Sequence, residues 1–223
     1  MTEVVSFTQH DGVATLTMDD GKANALSLVM SQALDAGLDR AAKEARVVVI
    51  RGRSGVLCGG FDLKVIRGND DAQRNAMRDA GMRLLARLYL LPQPLIFACI
   101  GHSVAAGGLL LLTGDVRIGQ RGEFRISLNE VGIGLTLPQT GIELARDRLS
   151  AAALTGAVAL ARLYNPDDAA GAGYLDAAVD AAAFDATVAQ HAQDLLKLDP
   201  AAFAATKQRL RQPTLDRIAA AAT

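Results

Sequence analysis

Only two cysteines, Cys58 and Cys99, occur in 223 residues, both in apolar surroundings and at no metal-ligand spacing. A disulfide framework is excluded, and two reduced thiols in a cytoplasmic protein are expected. A dense basic block is also missing. Lys and Arg (23) nearly balance Asp and Glu (24) for a net charge of -1, so neither a nucleic acid nor a membrane surface is an obvious partner. Apolar runs such as "LLLLT" at 109–113 are far too short to span a bilayer. The first residues, "MTEVVSFTQHDG", carry an early Glu and read as a strand rather than a targeting segment. No repeat of fixed period and no low-complexity tract is visible.

What is present is a chain with half of its residues apolar, enough to bury a sizeable core in one main domain. "VATLTM" alternates after a turn at Asp11-Gly12 and predicts an antiparallel hairpin over 4–18. The segment 27–45 has helical apolar spacing, with Ser27 placed as its N-cap. "VVVI" at 47–50 and "LIFACI" at 95–100 are continuous apolar runs, as expected of strands covered on both faces. Between them a helix over about 71–91 stops at "LPQP", because proline denies the helix its backbone donors. A Gly- and Ala-rich start then opens an apolar helix after 105, and "DVRIG" gives a further strand. This alternation predicts an α/β core, residues 1–150, with a mostly parallel sheet. From about Ser150 the sequence turns Ala-rich and shows little strand signal, so 151–223 reads as a helical C-terminal region.

Two stretches follow the buried strands, "SGVLCGGFDLK" at 54–64 and "GHSVAAGG" at 101–108. Gly59-Gly60 permits unusual dihedrals and the close approach of a ligand, leaving the Phe61 N–H free. Ala105-Ala106-Gly107-Gly108 opens a helix whose first N–H groups have no partner inside the helix and carry the positive end of its dipole. Each loop alone reads more readily as a packing turn than as a functional one. Two such donors facing one point would form an oxyanion hole.

Together with "GKANALS" at 21–27, in this order and spacing, the two loops resemble the crotonase (enoyl-CoA hydratase/isomerase) superfamily over roughly residues 4–210. The resemblance implies a fold of repeated ββα units around a mostly parallel sheet. It places the N–H groups of Phe61 and Ala106 on a thioester oxygen, where two preorganised donors stabilise an enolate as its charge develops. Gly59, Gly60 and Gly107 belong to the same loops. Lys22, Ala23 and Leu26 in the approach segment, and Lys64 after the first loop, match the side that meets coenzyme A. Read from the residues alone, both lysines are equally ordinary surface groups. Val65, Ile66, Met82 and Leu85 are candidate walls of an acyl tunnel, or simply core.

"ISLNEVGIG" at 126–134 looks most like the delta-3,delta-2-enoyl-CoA isomerase branch and makes Glu130 the base. Where hydratases of the family carry a second glutamate stands Leu109, and one carboxylate suffices to move a proton between two carbons. Asp115 falls at a structural aspartate of the family. No acid occurs from Val131 to Gly141, which counts against the dehalogenase and dienoyl isomerase branches. His102, beside a strand end, reads as a packed or hydrogen-bonded residue. The expectation is an enzyme acting on an acyl-CoA thioester with no separate cofactor and no metal, assembled as a homotrimer or hexamer. The alternatives are a hydratase or a non-catalytic acyl-CoA-binding protein. Two departures are notable: Ala106 stands where the family most often has Gly, its methyl expected to narrow the space around the thioester, and the tail reads as shortened.

Overall fold

The computed structural model describes residues 3–220. The chain begins with strands β1 (Val5–His10) and β2 (Val13–Met18), paired antiparallel. Asp11 and Gly12 both have positive φ (46° and 79°), which suits the twist of a two-residue hairpin turn. Helix α1 (Leu28–Glu44) follows, its Met30 N–H bonded to the Ser27 side chain as the sequence predicts. Gln93, inside "LPQP", donates to the carbonyls of Ala41 (2.9 Å) and Ala45 (2.7 Å), at the end of that helix.

Three further units repeat one plan. Strands β3 (Val47–Arg51) and β4 (Gly55–Cys58) lead to helices α2 (Leu63–Ile66) and α3 (Asp71–Tyr89). Strands β5 (Leu95–Cys99) and β6 (Gly101–Val104) lead to α4 (Ala106–Thr113). Strands β7 (Val116–Gln120) and β8 (Ile126–Ser127) lead to a short 3-10 turn and α5 (Gln139–Arg148). The chain ends with α6 (Ala151–Val158), α7 (Pro166–Ala172), β9 (Ala177–Val179), α8 (Ala181–Leu195) and α9 (Pro200–Ala220).

Each of the three units gives its first strand to a six-stranded sheet, ordered β1-β2-β3-β5-β7-β9 and parallel from β2 onward. The second strand goes to a smaller parallel sheet, β4-β6-β8. Alternation within β3 and β5 explains their unbroken apolar runs. Val48, Ile50, Phe97 and Cys99 face the main core, while Val47, Val49, Ile96 and Ala98 pack with Phe184, Val188 and Ala192 of α8.

Two readings are corrected here. The small sheet was not visible as strands in the sequence, because β4 and β6 each contain glycine and β8 is two residues long. The Ala-rich region is not helical throughout, since β9 completes the large sheet by pairing with β7.

The last helix is held in an unusual way. The buried residues of α9 are Lys207, Arg211 and Thr214. Lys207 Nζ lies 2.7 Å and Arg211 Nη2 2.8 Å from the two oxygens of Asp115, whose carboxylate also accepts the Leu95 N–H at 2.8 Å. Arg211 further donates to the carbonyls of Tyr89, Thr113 and Gly114. Asp115 is therefore structural, joining the starts of β5 and β7 to α9. Burial pushes the Lys207 ammonium down to about 8.

Candidate active site

All three site segments leave the C-terminal ends of the small sheet. Cys58 pairs with Ser103, and Val104 with Ser127. Phe61 is the third residue after Cys58, Ala106 the third after Ser103 and Glu130 the third after Ser127. Parallel pairing thus delivers both donor loops and the carboxylate to one edge, where open parallel sheets commonly bind ligands. The loops follow β4 and β6, not the long strands β3 and β5.

Glycine lets the two loops touch. A Cβ on Gly60 (φ 91°) would stand 2.9 Å from Ala105 Cβ and 3.5 Å from Ala106 N. One on Gly107 would stand 2.2 Å from the Cys58 carbonyl oxygen. Gly107 is therefore packed closely against β4, which positions its loop. Phe61 N makes no hydrogen bond among the described residues, and Ala106 N, opening α4, has no partner within the helix. Ala105, before it, has a positive φ of 51°, uncommon outside glycine. The Ala106 methyl is 1% exposed and belongs to the core, so it does not narrow the cavity as the sequence led us to expect. Ala105 lines the cavity instead.

The Phe61 ring occupies the space that a side chain at Gly81 would need, 2.5 Å from its built Cβ. The bulky residue after the Gly-Gly pair thus anchors its loop on α3. Nothing in local sequence marks Gly81, because its role depends on a residue on a different element.

The approach segment is stitched to the first loop by two bonds, Gly59 N–H to Ala23 O (2.8 Å) and Leu26 N–H to Gly60 O (2.8 Å). Leu26 is fully buried, and its side chain belongs to the core. Asn24, not singled out from sequence, is the centre of this turn. It is fully buried with φ 49°, donates to Met18 O (2.8 Å) and Leu57 O (3.2 Å), and accepts the Asp20 N–H (2.9 Å). The Asp20 carboxylate in turn accepts the N–H groups of Lys22, Asn24 and Ala25. Lys22, Ala23 and Lys64 are exposed, and neither lysine enters an ion pair among the described residues.

Glu130 is 8% exposed. Its Oε2 is buried with no hydrogen-bond partner. Burial holds its pKa above the ordinary carboxylate value, since the charged form loses hydration. Asn129, beside it, has an unpartnered Oδ1. His102 lies on β6, accepts the Arg125 N–H at 3.0 Å and meets Phe124 edge-on, as a packed histidine would.

Glu130, Phe61, Ile66 and Leu135 line two adjoining cavities. One, about 160 Å³, also includes Gly59 and Ala105 of the two donor loops. The other, about 410 Å³, extends to Met82, Leu109 and Pro138. Of the candidate tunnel residues, Ile66 and Met82 line it, Leu85 is fully buried core, and Val65 is half-buried on α2. A larger cavity, about 650 Å³, lies between the ends of α1 and α3 and the junction of α8 with α9, and shares no residue with this site.

Residues 8–223 match the family described as enoyl-CoA hydratase/isomerase. The chain belongs to that family. A Pseudomonas syringae family member of known structure superposes with a TM-score of 0.94 at 41% identity, covering 97% of this chain and 94% of that one. The enoyl-CoA isomerase of Mycobacterium tuberculosis gives 0.93 at 36% identity, covering 99% and 96%. Among curated sequences, a probable enoyl-CoA hydratase of Rhodobacter capsulatus is 30% identical over 201 residues, 89% of this chain and 77% of its own. The human mitochondrial enoyl-CoA delta isomerase 1 is 26% identical over 211 residues, 93% and 70%. Family membership identifies an α/β crotonase fold and an enzyme acting on acyl-CoA, and the names of the relatives divide between isomerase and hydratase.

Proposed function

We propose that this enzyme moves a double bond along an enoyl-CoA thioester with Glu130 as its single base. The observation carrying this reading is that, among the described residues, Glu130 is the only carboxylate lining either cavity of the site. Leu109, buried on the wall of the larger one, supplies no acid that would activate water.

The thioester oxygen accepts the N–H groups of Phe61 and Ala106. Glu130 takes a proton from carbon 2 of a 3-enoyl thioester, and the electron pair spreads through the conjugated system onto that oxygen. The protonated carboxyl then returns the proton to carbon 4 while the double bond settles between carbons 2 and 3. No atom is gained or lost. A carboxylate of raised pKa suits both halves, being a stronger base in the first and an available acid in the second. Lys22 and Lys64, unpaired and exposed at the approach side, are the candidates for the phosphates of coenzyme A, with Ala23 and the Gly59–Gly60 turn beside them.

The deciding experiment supplies a 3-enoyl-CoA and, separately, a 2-enoyl-CoA. Conversion of the first without hydration of the second supports the isomerase. Efficient hydration of the second would replace it with a hydratase, and silence on both with tight binding of coenzyme A would leave a binding protein. The same reading expects a homotrimer or hexamer, for which the exposed Leu160, Leu163 and Leu210 offer apolar surface.

A further inference from the structure

The larger cavity is not apolar throughout. Arg74, Arg78 and Met82 lie one turn apart on α3 and together form the wall that this helix presents to the cavity. Arg74 is committed. It donates to Gly68 O at 2.7 Å and pairs with Asp71. Arg78 has no ion pair and no hydrogen bond among the described residues, and neither arginine pairs with Glu130.

The direction of the chain through the site follows from what the two cavities share. The smaller one contains the donor loops, so the thioester carbonyl belongs there. Glu130 stands at the junction, over the carbons next to the carbonyl. The cavity that continues past Glu130 to α3 receives the distal part of the acyl chain, and the approach segment with Lys22 and Ala23 lines neither cavity. A methyl-ended chain has nothing to offer a guanidinium there and would cover part of its hydration. A chain ending in a carboxylate offers the planar, two-oxygen partner that a guanidinium binds best.

We infer that Arg78 selects acyl-CoA substrates whose chain carries a distal carboxylate, the cavity wall at α3 recognising the far end of the acyl group. The inference rests on the site reading above for where the acyl chain enters. Its test requires no turnover, so the two can fail separately.

Calorimetric titration measures binding of two saturated straight-chain acyl-CoA series, matched in length, one ending in methyl and the other in carboxylate. The wild type binds the carboxylate series tighter at the length that reaches Arg78, by about fivefold or more, a charge-assisted contact discounted for the exposure of Arg78. Arg78→Gln removes that preference, binds the methyl series unchanged, and keeps the wild-type melting temperature. Arg78→Lys restores part of the preference. A wild type that binds the methyl series equally or better at every length overturns the inference. So does an Arg78→Gln variant that weakens both series by the same factor, which would assign Arg78 to coenzyme A. If the carboxylate preference holds but no 3-enoyl thioester is turned over, the specificity stands and the base assignment falls.

Discussion

Replacing Glu130 by Gln should move activity and stability in opposite directions. Glu130 is 8% exposed, and among the described residues its Oε2 has no partner and no second acid lines the cavities. No neighbour can take over proton transfer, so the full contribution of a positioned base is lost. That is about a hundredfold to ten-thousandfold in kcat, or about 3 to 5 kcal/mol of transition-state stabilisation. KM should change little, because the donor loops and the approach segment are untouched. Stability should rise. Glu130 has a folded pKa above its unfolded value, so the folded protein holds the proton more tightly over the interval between the two. That stabilisation is complete below the ordinary carboxylate value and is lost as pH rises through the raised one. Wherever the wild-type carboxylate is ionised it bears a desolvated charge that the amide removes. Three readouts follow: steady-state kinetics on a 3-enoyl-CoA, a melting temperature at neutral pH that does not fall, and a pH–kcat/KM profile. In the wild type the acid limb of that profile lies above the ordinary carboxylate range, and the residual activity of the variant lacks it. A variant that keeps more than a tenth of wild-type kcat, or one whose loss is matched by a large drop in melting temperature, would refute the assignment.

Further outcomes are expected. Asn24→Ala strips partners from two carbonyls and one N–H in a buried turn of positive φ, and should cost about 2 to 4 kcal/mol in urea denaturation. Gly107→Ala drives a methyl into the Cys58 carbonyl and separates the donor loops. It should lower kcat on the order of a hundredfold, the scale of one lost oxyanion donor, with Glu130's pH limb unchanged. Burial raises Cys58, Cys99 and Tyr89 to about 12, so their stabilisation is present below about pH 9 and lost as pH climbs toward 12. Lys207, lowered to about 8, works the other way up to the ordinary lysine value, so the alkaline fall in denaturation midpoint steepens only beyond it, and Cys99→Ala makes it shallower. Light scattering should show a trimer or hexamer, and a monomer at assay concentrations would remove that part of the proposal.

The elements legible in the sequence were those whose cause is local. The hairpin carries its turn at Asp11-Gly12, α1 its cap at Ser27, and β3 and β5 their unbroken apolar runs. The small sheet was not legible, because "GVLC", "GHSV" and "IS" are strands only through pairing with one another. The repeated ββα plan left no sequence period since its units differ in length. At the site, the resemblance to a known family singled out Glu130 and the two loops, and the structure brings them to one sheet edge. Asn24, Asp20 and Gly81 escaped notice for a common reason. Their importance lies in partners distant in sequence or in the close fit of a turn, and residue type alone does not show that. Leu26 is a core side chain within the approach segment, a burial that its place in the motif did not show.

The contact between the two donor loops has a consequence for how this site can be damaged. Gly107 lies against the Cys58 backbone, and Gly60 against the Ala105 methyl and the Val104 carbonyl, with no long side chain in between to give way. The gap between the two N–H groups is therefore held by the absence of atoms. Truncating the larger side chains nearby leaves these positions untouched, whereas alanine placed at either glycine strikes them directly. The injurious changes are additions, and a single methyl is enough. A survey that substitutes upward in size, one methyl at a time, would trace the outline of the proposed oxyanion hole that a survey by deletion leaves blank.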